Sequence, residues 1–133
     1  MQNHDPQYLR SKEKSKINKN LSDRLEDFAV EIIKLSQKLG KSYAGRHIGG
    51  QLIKCSTSAG ANYEESCGAE SRSDFIHKLH IVLKELRESL YWLRLSKKSE
   101  LLLIDLVDPL LQEGKELSNI IGKSIVTARE NKQ

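Results

Sequence analysis

The chain has 133 residues, 38% hydrophobic and 30% charged, with a formal net charge of +4. That length supports one hydrophobic core, and 5% aromatics with only two prolines and eight glycines exclude a strand-and-turn architecture such as a sandwich or barrel. The longest strictly apolar run, Leu101-Leu102-Leu103-Ile104, is far below the ~20 residues of a membrane span. The polar start, from Met1 to Pro6, lacks the apolar centre of an export signal, so a cytoplasmic protein with no membrane contact is expected.

Positions 1–20 hold five basic residues (Arg10, Lys12, Lys14, Lys16, Lys19) and two acidic ones (Asp5, Glu13). The remaining chain carries 17 basic against 16 acidic residues. Most of the basicity therefore sits in an arm with almost no apolar content, which reads as flexible. Such an arm suits phosphate contact or simple solubilisation. Residues 21–131 form the folded domain in this reading.

Four helices follow from the apolar periodicity. Leu21, Leu25, Phe28, Ile32, Leu35 and Leu39 repeat at alternating intervals of four and three, one face of a helix over about 23–39. Ala29, Ile33 and Ser36 widen that face, Asp23 and Glu26 suggest a capping box, and Gly40 a stop. The second helix carries Ile48, Leu52, Cys55, Ala59 and Asn62 at the same spacing. Small residues crowd its other positions, among them Gly49, Ser56 and Gly60, which predicts a close helix crossing within the fold or between subunits. Gly45-Arg46-His47-Ile48-Gly49-Gly50 reads as the loop into that helix. With no strand before it and no Gly-Lys-Ser/Thr after it, it is no phosphate-binding loop.

The third helix is the clearest: Ile76, Leu79, Leu83, Leu86, Leu90 and Leu93, broadened by Phe75 and Val82, with Ser71 and Asp74 as the start signal and an end near Leu95. The fourth shows Val107, Leu110, Gly114, Leu117, Ile121, Ser124 and Ala128, flanked by Leu111, Ile120 and Ile125. Pro109 belongs near a helix start, which points to Asp105 or Asp108 as the cap and 99–104 as a lead-in. Four amphipathic helices with short polar links describe an all-α, antiparallel up-down four-helix bundle. A three-helix core with a loose segment is the rival.

The segment from Gln51 to Glu65 (QLIKCSTSAGANYEE) resembles a stretch of the bacterial four helix bundle protein family, also known as 23S rRNA intervening-sequence proteins. There the pattern is approximately Q-L-x-R-x-x-T-S-I-G-A-N-x-x-E-A. Asp74-Phe75-Ile76-His77-Lys78-Leu79, Lys84-Glu85 and Tyr91-Trp92-Leu93 are similar to the family's D-F-I-x-K-L, K-E and Y-W-L, and Thr127-Ala128-Arg129 to its ending. Ala59 and Ser66 depart from the pattern. The resemblance covers about residues 21–131 and implies an up-down bundle that assembles as a ring-like homo-oligomer, a homopentamer in known members. The family's name comes from reading frames within insertions in 23S ribosomal RNA genes.

On the third helix His77, His80, Lys84, Arg87, Tyr91 and Arg94 recur at three and four residues, a basic stripe with an aromatic that suits RNA or DNA. The same side chains equally suit acidic partners such as Glu64 or Glu65, and Lys84 is placed to pair with Glu88. Asn62 lies on an apolar seam, where an asparagine sets register or oligomeric state. Glu64 and Glu65 point about 100° apart on a helix and have no nucleophile beside them, so no catalytic pair is expected. Cys55 and Cys67 read as free thiols. No spacing of the C-x-x-C, H-E-x-x-H or E-x-x-H kind occurs, so neither metal nor cofactor is expected. Sequence therefore points to a non-enzymatic oligomeric scaffold contacting nucleic acid through the stripe and the arm, with a protein-binding adaptor as the alternative.

Overall fold

The computed structural model describes residues 20–131, so the basic arm expected at 1–20 lies, Asn20 apart, outside the described residues. Four helices and no strand are present among the described residues. Helix α1 spans Leu21–Ser36 and tightens into a 3₁₀ turn, Gln37–Leu39. Its cap is Asn20, whose Oδ1 accepts the Asp23 N–H at 2.8 Å, so the expected cap, Asp23, is already inside the first turn. Gly40, with φ of +81°, takes the left-handed conformation that ends the helix.

Helix α2 spans Tyr43–Cys67, and this corrects the expectation of a loop at 45–50. Ser42 caps it by accepting the Gly45 N–H at 3.0 Å. The glycines there are not linkers: Gly45 and Gly49 are buried where α2 crosses the end of α1. A Cβ at Gly45 would collide with the carbonyl oxygen of Leu39, and one at Gly49 would sit 3.5 Å from Leu39 Cδ1. Close approach of the two backbones outweighs the helix propensity lost, about 1 kcal/mol per glycine.

Helix α3 spans Arg72–Lys98, capped as expected by Ser71, whose Oγ accepts the Asp74 N–H at 3.0 Å. It continues past Leu95 because the buried Ser96 returns its hydroxyl to the Trp92 carbonyl at 2.8 Å, leaving no polar atom stranded. Ser96 O then receives Leu101 N, and buried Leu102 pins the link. Helix α4 spans Ile104–Glu130 with no side-chain cap. Asp105 is inside its first turn, where its negative charge complements the positive helix end, and Asp108 lies one turn further in. Pro109 stands inside the helix, five residues after its start at Ile104; that start is close to the expected one, but the cap is Leu103 rather than Asp105 or Asp108.

Matching heights fix the topology. Ser22 donates to Glu64, Lys78 pairs with Glu65 at 2.9 Å, and Lys97 pairs with Asp108 at 2.7 Å. Each helix thus runs antiparallel to the one before it, giving the up-down bundle. Its interior is built from Leu25, Phe28, Ile32, Leu52, Leu79, Leu86, Leu93, Leu117 and Ile121, all almost fully buried. The α1–α4 side is closed by Arg24, which grips Glu113 through two nitrogens at 3.0 and 2.7 Å and reaches Glu116 at 3.1 Å. These carboxylates hold the guanidinium even more firmly protonated than usual, the Glu113 bond being the main cause.

Two seams differ from the heptad reading. On α4 the buried row is Val107, Leu111, Gly114, Leu117, Ile121 and Ile125, while Leu110, Ser124 and Ala128 are only half-buried. A straight helix repeats every 3.6 residues, so a strict seven-residue row drifts by about 20° per heptad and its neighbour takes over. On α1, Ile33 is 37% exposed rather than part of the core stripe.

Gly45→Ala is expected to lower stability by about 1–3 kcal/mol, since backbone must move to admit the methyl group. Gly50→Ala meets nothing within 4 Å and is expected to raise it by about 0.5–1 kcal/mol. Urea denaturation of the two variants checks both signs.

Candidate functional site

Burial of one α3 face determines what the other presents. Leu79, Val82, Leu86, Ser89, Leu90 and Leu93 turn inward, and His77, His80, Lys84, Arg87, Tyr91 and Arg94 are all exposed. The stripe is thus assembled on one side of the helix. Its charges do not pair with the acidic residues expected. Glu65 is held by Lys78, Glu64 accepts from Ser22, and Lys84 lies 3.9 Å from Glu85 rather than meeting Glu88.

Two stripe members are positioned by neighbours. His80 Nε2 lies 2.9 Å from Arg129 Nη2 on α4. A guanidinium only donates, so the contact is a hydrogen bond when Nε2 accepts. Tyr91, 49% exposed, meets the edge of Trp92 with ring centroids 5.0 Å apart. Trp92 in turn meets His47 at 5.7 Å, and His47 stacks on Tyr43 at 6.4 Å. The Trp92 indole N–H is buried and has no acceptor among the described residues.

Beside the stripe, α3 and α4 enclose an open groove of about 860 Å³. Arg87, Lys115 and Lys123 edge it, Leu83, Leu90 and Val126 supply apolar surface, and no acidic residue among the described residues lines it. Lys115 and Lys123 were not singled out from sequence. Their signal was present, two lysines eight residues apart on one helix flank, yet only the packing of α4 on α3 brings them opposite Arg87. Lys123 and Thr127 also border a second hollow of about 790 Å³ near the α2–α3 turn, with Phe75, Ile120 and Ala128 among its walls.

The second group of predicted residues is divided. Gly49 faces α1, and a Cβ at Gly60 would be 3.9 Å from Leu25 Cβ, so both serve the α1–α2 crossing. Ser56 is fully buried and donates weakly to the Ile53 carbonyl at 3.4 Å. Asn62 donates to the Ser58 carbonyl at 2.9 Å and is satisfied within its own helix. Glu64 and Glu65 are the polar ties to α1 and α3 described above. Cys55 is buried with its Sγ 3.1 Å from the Ser89 hydroxyl, and burial pushes its thiol pKa up; Cys67 is exposed. Among the described residues no cluster of three or more His, Cys, Asp or Glu is arranged to hold a metal ion.

Glu85, behind the stripe, has its pKa raised, first by burial and then by Glu88, with Lys84 and Lys54 opposing. A carboxylate whose folded pKa exceeds its unfolded value disfavours the fold when ionised, and that penalty vanishes as pH falls through the raised pKa. Glu85→Gln should therefore melt at a higher temperature than the parent at pH 7. The gap should close below the ordinary carboxylate range, as melts at the two pH values will read.

A family model described as 23S rRNA-intervening sequence protein matches residues 12–123. A protein of unknown function from the S23 ribosomal protein family of Bacteroides thetaiotaomicron VPI-5482, known from a crystal structure, is similar in fold. It has a TM-score of 0.73 and 31% identity, covering 80% of this chain and 98% of its own. No curated protein matches the chain.

Proposed function

The chain belongs to the 23S rRNA-intervening sequence protein family, and from that premise we propose that it is a cytoplasmic, non-enzymatic, oligomeric scaffold that binds nucleic acid. The observation that carries this reading is the α3–α4 flank, where Arg87, Lys115 and Lys123 edge a groove that no carboxylate among the described residues lines. Phosphate oxygens complement such a rim, and their released counterions supply the affinity. Lys84 and Arg94 extend the charge along α3, and the five basic residues of the arm add to it. A scaffold rather than a catalyst is favoured because Glu64 and Glu65 are engaged with Ser22 and Lys78.

Self-association, in a ring of five as the family resemblance implies, is supported by apolar side chains left in solvent. Leu103 is 72% exposed and Ile104 56%, both at the α3–α4 corner, with Val30 and Ile33 on α1. Helix α2 has no membrane role in this reading, since no helix among the described residues is long and apolar enough to cross a bilayer. The adaptor reading keeps one observation in its favour: exposed Tyr43 and Tyr91 flank His47 and the half-buried Trp92 in a run of ring contacts, and such an aromatic surface suits a protein partner.

Fluorescence anisotropy with labelled RNA should show affinity falling steeply with salt. Replacing Lys84, Arg87 and Arg94 by alanine should weaken binding about 10- to 100-fold and reduce the salt slope by about two. Unchanged binding would shift the reading to the adaptor. Light scattering of the parent should give an oligomer, and a monomer at micromolar concentration would refute the assembly.

A further inference from the structure

The two hollows beside α4 are adjacent, and the residues they share are Lys123 and Thr127. We propose that they form a single-strand site, in which Lys123 holds one phosphate while the bases on either side of it settle into the two hollows. This rests on the nucleic-acid reading above and specifies which form of nucleic acid is taken.

Three features lead there. First, both hollows combine basic and apolar lining: Leu83, Leu90 and Val126 stand with Arg87, Lys115 and Lys123 in one, Phe75, Ile120 and Ala128 with Arg72 and Lys123 in the other. Uncharged polar residues such as Asn119 and Ser124 stand beside them, and no acidic residue among the described ones lines either. A duplex keeps its bases stacked inside and offers such a lining only its phosphates; an unstacked strand gives both its phosphates to the lysines and its base faces to the apolar side chains. Second, Val126 is 53% exposed within this basic surface, an apolar side chain in a place where phosphate contact alone needs none. Third, Lys115 and Lys123 are eight residues apart, about 12 Å along the helix axis, a separation that nearby phosphates of one extended strand can bridge. Neither lysine, nor Arg87, has an ion-pair partner among the described residues.

Gly122 makes the idea testable without harming the fold. It lines the first hollow, and a Cβ there meets nothing within 4 Å. A leucine at that position improves helix propensity and projects into the space assigned to a base. The experiment uses the full-length protein with a fluorescein-labelled 12-nucleotide oligouridylate and an RNA duplex of the same length. The single strand should bind about ten-fold or more tightly than the duplex. Gly122→Leu should keep or raise the melting temperature yet weaken oligouridylate binding about ten-fold, leaving duplex binding unchanged. Lys123→Ala, at an exposed position with no ion-pair partner among the described residues, should weaken the single strand to a similar extent. Equal affinity for duplex and single strand overturns the proposal, as does an oligouridylate affinity within two-fold of the parent in both variants. Displacement of the oligouridylate by polyglutamate at equal charge concentration overturns it too, since charge alone would then suffice. If the parent binds neither RNA at low salt, the broader reading fails with it, whereas binding of both RNAs without the variant effects removes only this inference.

Discussion

Exclusion of water from one row of α3, Leu79, Val82, Leu86, Leu90 and Leu93, is the constraint on which the rest of the structure depends. Large apolar side chains each contribute roughly 1.5–3 kcal/mol when buried, and α3 packs against both α2 and α4. Once that row faces inward, every residue of the basic stripe must face outward. The interior and the candidate site are two consequences of one helix orientation.

Where helices approach most closely, the chain uses small residues and returns their polar atoms to its own backbone. Ser66, Ser89 and Ser96 are buried, and each hydroxyl donates to a carbonyl three or four residues earlier, at 2.6 to 2.9 Å. Polar side chains can thus line a tight crossing without the penalty of an unmet hydrogen bond. The Trp92 N–H departs from that rule among the described residues: it is buried without an acceptor, in a half-buried ring that packs against the exposed Tyr91. Arg24 works differently. It closes the thinner α1–α4 side through charge-assisted bonds to Glu113 and Glu116, and neither of these acidic residues belongs to the lining of the groove.

That segregation gives the α3–α4 flank its character. The acidic and basic residues beyond the arm nearly balance in number, so net charge alone says little about a ligand. Their distribution says more: Glu113, Glu116, Glu64, Glu65 and Asp108 each make a polar contact with another helix, whereas Arg87, Lys115 and Lys123 edge an open groove. An anionic, partly apolar ligand is what such a surface complements.

Sequence by itself determined the helices and most of the core, because a 3.6-residue period of apolar side chains leaves few ways to remove them from water. It also determined the exposed stripe of α3, which is the complement of the seam, and the family pattern around Asn62 and Trp92. Helix ends were less legible: the start of α2 depended on Ser42 capping and on Leu39 lying against Gly45, a contact between residues of different elements. The drift of the α4 row from Leu110 to Leu111 required knowing how α4 lies on its neighbours. Only the tertiary structure decided that Lys115 and Lys123 join Arg87, and that two hollows meet at Lys123. Periodicity records which face of a helix is polar, but which helix that face adjoins is fixed by packing between segments distant along the chain.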